Sequence, residues 1–162
     1  MSEMRDLIVD TTTQVFTDNG DPLSLNLDDS GTRRSELWNV LADTGLTRAW
    51  LSERNGGGGL DLDDGLEILR VAGRFAVNVP LAETLVAGWY LEQAGIDLPE
   101  GTLTVCELAP DGCSDNVPFA GAVEGIVTLE DVMEALLGEE IVDEHDQVVD
   151  MQAHARQQHL DR

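Results

Sequence analysis

Few residues of this chain have both the type and the spacing for chemistry. Thr128 and Asp131 stand three positions apart, just before an apolar run. That spacing is the reciprocal cap of a helix start, which satisfies orphan N–H groups. Gly56 to Gly59 form a four-glycine run in which neither helix nor strand holds. A phosphate cradle would need a Lys-Ser/Thr pair after it or the dinucleotide spacing, and neither is present. Asp61, Asp63 and Asp64 would also repel phosphate, so a close-packed turn is expected. Cys106 and Cys113 lie seven positions apart with no His nearby, which is not a metal-ligand spacing. Two unpaired thiols are expected; a disulfide across a short loop is the alternative. His145 lies among Asp143, Glu144 and Asp146. These types suit a weak divalent-cation site, but a solvated acidic run is the simpler reading, and no metal site is assigned. All nine basic residues are Arg. Without Lys there is neither Schiff-base chemistry nor a P-loop lysine.

The chain has 162 residues and a formal net charge of -23. Such a charge repels phosphate, so no nucleic-acid partner and no anionic membrane surface is expected. At 42% hydrophobic, the chain is not an acidic disordered tail. The start, Met1-Ser2-Glu3-Met4-Arg5-Asp6, does not read as a signal peptide. The most apolar stretch, Val71 to Leu91, is broken by Arg74, Asn78, Pro80 and Glu83, so no membrane insertion is expected. A cytoplasmic location follows as the expectation.

The elements that would position these residues are mostly helical. Met4, Leu7, Ile8, Val15 and Phe16 share one helical face up to about Thr17. Residues 21–34 read as a loop. Ser35 is the expected N-cap of a second helix ending near Asp43, with Leu37, Trp38 and Leu41 buried and Gly45 as the stop. A third helix is expected over Asp63–Phe75, opened by acids that suit the helix dipole. Pro80, as a first helical residue, opens a fourth helix to about Ala94. The last two helices read as a packed pair. Thr102 to Leu108 and Val123 to Thr128 read as strands. Leu129, Val132, Met133, Leu136 and Leu137 make an amphipathic helix. The fold class is therefore mainly α: a partial bundle of about four helices, then a short β-β-α segment. Apolar faces left without cover should favour dimerisation.

In order, several motifs resemble the N-terminal helical domain of the acyl-CoA dehydrogenase family over about residues 1–120. They are Leu37-Trp38-Asn39-Val40-Leu41-Ala42-Asp43-Thr44-Gly45-Leu46, Leu51-Ser52-Glu53-Arg54-Asn55 with the four glycines, Asp63-Asp64-Gly65-Leu66-Glu67-Ile68-Leu69, and Val79-Pro80-Leu81-Ala82-Glu83-Thr84. Ser52 stands where the family usually has Pro. The resemblance implies FAD as cofactor, with α,β-dehydrogenation of an acyl-CoA thioester in which a Glu takes the α proton and a hydride passes to the flavin. The family's flavin-binding and catalytic parts lie beyond the matched region. No catalytic residue is assigned, no FAD-binding residue is named, and the chain is expected not to turn over alone. Glu83 and Glu92 are read as solvated helix faces. An anionic CoA or partner would use Arg33, Arg34, Arg48, Arg54, Arg70 or Arg74. A longer dehydrogenase subunit, or a second copy, is the implied partner.

The tail is similar to something else. Gly125-Ile126-Val127-Thr128-Leu129-Glu130-Asp131-Val132-Met133-Glu134-Ala135-Leu136-Leu137-Gly138, with the acidic continuation to Asp146, resembles the end of a cystathionine-β-synthase-type (CBS) domain. The variety it resembles is that of CorC/HlyC-like transporters. There, Thr128 and Asp131 would hold the phosphate and ribose of an adenine nucleotide; capping of the helix is the simpler role. The expected organisation is a dehydrogenase-like helical domain at 1–97, a strand and loop junction at 98–122, a CBS-like strand–helix fragment at 123–146 and a polar tail at 147–162.

Overall fold

A computed structural model describes residues 3–106, 117–119 and 122–138. In chain order the helices are α1 (Glu3–Asn19), α2 (Pro22–Asn26), α3 (Thr32–Asp43), α4 (Leu62–Arg74) and α5 (Leu81–Ala94). Strands β1 (Leu103–Cys106) and β2 (Gly125–Thr128) and helix α6 (Leu129–Leu137) follow. The chain is mainly α with a short β segment.

Helix α1 packs against α4. It buries Ile8, Thr12, Val15 and Phe16, which follow the spacing of one helical stripe. Met4 and Leu7, expected on that face, are 54% and 61% exposed. The buried stripe runs through Thr12 instead, and it leaves the first turn overhanging the core. Arg5 Nε donates to Asp64 Oδ1 at 2.6 Å and ties the first turn to α4.

The stretch 21–34 is not wholly a loop. Asp21 caps a short helix by accepting from the Ser24 amide at 3.0 Å, Pro22 occupies its first turn, and Leu25 plugs the core at 2% exposure. One buried leucine is too short a signal to show as periodicity. Helix α3 begins at Thr32, three residues before Ser35. Asp28 accepts from the Arg33 amide at 2.6 Å and serves the helix start in place of Ser35.

Between α3 and α4 the chain makes two single-turn 3₁₀ helices, Leu46–Arg48 and Glu53–Asn55. The glycine run folds back on the first of them. The amides of Gly57, Gly58, Gly59 and Leu60 donate to the carbonyls of Ser52, Arg48, Leu51 and Ala49. A Cβ at Gly57 would sit 2.2 Å from the Leu51 oxygen, so only glycine fits.

Helix α5 is a shared wall. Its Leu81 and Leu85 join the main core with Phe16, Leu37, Leu41, Ile68 and Val71. Its Ala87 and Leu91 join a second cluster with Leu103, Val127 and Val132. The two strands pair in parallel, Leu103 opposite Gly125 through Cys106 opposite Thr128. Parallel pairing requires a crossover rather than a hairpin between Cys106 and Gly125. The Thr84 hydroxyl locks β1 onto α5. It donates to the Leu103 carbonyl at 3.0 Å and accepts from the Leu103 amide at 2.9 Å.

Of the α6 stripe, Val132 is buried while Leu129, Met133, Leu136 and Leu137 are exposed. The helix touches α5 and β2 along a line narrower than its apolar face. No helix among the described residues is long and apolar enough to cross a membrane.

Candidate functional site

The parallel strands end together, at Cys106 and Thr128. Helix α6 starts at the next residue, Leu129. Ligands of open parallel sheets collect outside the carboxyl ends of strands, where helix N–H groups and the helix dipole favour anions. Thr128 occupies the final position of β2, half-buried, with its neighbours fixed by the register. Asp131 falls in the first turn of α6. The backbone thus brings both residues to one strand-to-helix corner. A Thr hydroxyl there can donate to a phosphate oxygen, and an Asp carboxylate can accept from sugar hydroxyls. Cys106 is half-buried across the register from Thr128. Cys113, His145, Asp143, Glu144 and Asp146 lie outside the described residues. Among the described residues no cluster of three or more His, Cys, Asp or Glu is placed to hold a metal.

The glycine run does not form a cradle, because its amides are spent on carbonyls of residues 48–53. Glu92 is not a solvated face residue. Both its carboxylate oxygens accept from the Ser52 amide, at 3.2 and 3.1 Å. One of them also accepts from the Ser52 hydroxyl at 2.6 Å and the Asn55 amide at 2.5 Å. The Ser52 hydroxyl, more than any other group, holds the Glu92 carboxyl below the usual carboxylate range, against the opposing effect of burial. Nothing local signals this contact, since its partners lie 37 and 40 residues away. Glu83 is half-buried on the wall of a cavity of about 320 Å³ beside Phe119.

A larger cavity, about 520 Å³, opens between the first half of α3, the link before α5 and residues flanking the strands. Arg34, Trp38, Asn78, Thr102 and Glu124 line it. Only Arg34 among these was named from sequence as a residue that could meet a ligand. The cavity joins segments distant along the chain, so no local pattern announces it.

No family model matches the chain, and no solved structure matches it. The chain is similar to Protein MAM3 of Saccharomyces cerevisiae, 46% identical over 59 residues. Those residues are 36% of this chain and 8% of that protein, so the chain spans less than a tenth of the length of the curated relative it matches.

Proposed function

We propose that the C-terminal part of this chain is a CBS-type regulatory segment like that of CorC/HlyC-like transporters, and that it takes the phosphate and ribose of an adenine nucleotide at the β2–α6 corner. The observation that carries this reading is the placement of Thr128 at the end of a parallel strand with Asp131 in the first turn of the next helix. The helix N-terminus favours the phosphate, and a first-turn acid suits the hydroxyls of a ribose. The similarity to Protein MAM3, 46% identical over 59 residues, supports this reading over the dehydrogenase one. Calorimetric titration of the whole chain with AMP and with ATP tests it. Heat of binding is expected for the unaltered chain and its loss for Asp131→Ala and Thr128→Val. An absence of heat with the unaltered chain rejects the assignment.

For the helical part the acyl-CoA dehydrogenase reading rests on the ordered motifs alone, since neither family models nor solved structures support it. Titration of the same sample with FAD, followed in the visible spectrum, bears on it: a stoichiometric flavin complex would count for that reading.

A further inference from the structure

We propose that the cavity between α3 and the α4–α5 link is a binding site for a small aromatic carboxylate. This is independent of the nucleotide reading at the β2–α6 corner. The cavity holds about 520 Å³, which lies within the range of small-molecule sites. Arg34, half-buried in the first turn of α3, is the cation among its lining residues. A guanidinium presents a planar fork that matches a carboxylate through two hydrogen bonds. It also sits at the positive end of α3, so helix and side chain favour the same charge. The one acid on the wall, Glu124, is turned to the backbone and accepts from the Thr102 amide at 2.8 Å.

The body of the ligand is set by the other walls. Trp38 and Phe119 supply aromatic surface, and Asn78 offers an amide beside them. A flat ring packs against such walls through offset or edge contacts. Phe119 is also a backbone outlier, with φ +56 in the left-handed region that few residues other than glycine adopt. The Ala122 amide donates to the Phe119 carbonyl at 2.7 Å. Phe119 also lines the neighbouring cavity of about 320 Å³. Phe119 therefore stands as the partition between two cavities, and it limits the length of ligand that fits. A strained backbone retained at a cavity wall is where such a role is expected.

The probe is 2-naphthoate, compared with its uncharged twin 2-naphthamide, by calorimetry on the full chain. Saturable naphthoate binding is expected, at least about tenfold tighter than the amide, as loss of one charged pairing requires. Arg34→Gln should weaken naphthoate by about tenfold and abolish the preference. Arg33→Gln should leave both unchanged, because Arg33 faces a different cavity. Phe119→Ala should strengthen binding of the longer pyrene-1-carboxylate, because Phe119 lines both cavities. Circular dichroism and melting of each variant separate loss of binding from loss of fold. Equal affinity for naphthoate and naphthamide, an inert Arg34→Gln variant that melts normally, or no saturable binding overturns the proposal.

Discussion

Glu92 gathers its hydrogen bonds from a single turn, Ser52 to Asn55, and so pins α5 to the chain ahead of the glycine run. Hydrogen bonds to a charged acceptor are each worth about 1.5–3 kcal/mol, and part of that is recovered by water when the site is half open. Glu92→Gln is expected to cost about 1–2 kcal/mol in urea unfolding, because it keeps the shape and removes the charge. The pH dependence has a definite sign. The folded carboxyl is held below the unfolded value of about 4.3, so its stabilisation is complete above that value and is lost as pH falls through the folded one. The unaltered chain should lose stability on acidification below about pH 5, and Glu92→Gln should lose less over the same interval. Equal slopes for the two proteins would refute the assignment. Asp21 and Asp28 are also depressed, chiefly by the hydroxyls of Ser24 and Ser30, but Asp21 is exposed and Asp28 only half-buried, so both should add little.

At the scale of elements, α4 contains two glycines with opposite meanings. A Cβ at Gly65 would lie 1.8 Å from Trp50 Nε1, so the absence of a side chain is what lets the indole close over the helix. At Gly73 nothing lies within 4 Å. Glycine costs a helix roughly 0.5–1 kcal/mol relative to alanine. Gly73→Ala should therefore stabilise the protein by about that amount, while Gly65→Ala should destabilise it by about 1–3 kcal/mol through overpacking. Thermal melts of both variants check the pair, and a gain in both would show that Trp50 yields without cost. Helix α4 is readable because Asp63 and Asp64 suit its first turn and apolar residues recur along it, although Asp61 caps it and the fully buried stripe is Gly65, Ile68 and Val71. Helix α5 was readable for a similar reason, although Pro80 caps it rather than occupying its first turn. Helix α2 was missed, since five residues with one buried leucine show no period.

At the scale of the whole molecule, one apolar surface exposed among the described residues is the outer face of α6. Leu136 and Leu137 are 52% and 61% exposed, with Met133, Leu129 and Ile126 beside them. Contiguous apolar patches of this kind favour association. The net charge of -23 opposes contact between two copies. Sedimentation velocity is therefore expected to show self-association that strengthens between about 20 and 500 mM salt, because screening removes the repulsion and spares the apolar contact. The double substitution Leu136→Glu with Leu137→Glu should abolish it. A monomer at every salt concentration would mean that the exposed face does not drive pairing.

The residue sequence by itself determined the helical class, the glycine turn and the strand–helix corner at Thr128, whereas α4, expected to pair with α5, packs on α1. Each is written in neighbours within about one or two turns of chain, through caps, stripes and breakers. It did not determine where α6 would dock, that Glu92 would clamp Ser52, or that Arg34 would meet Phe119 across a cavity. Those contacts join residues tens of positions apart. Only the packing of α5 as a wall shared by two apolar clusters settles which of them form.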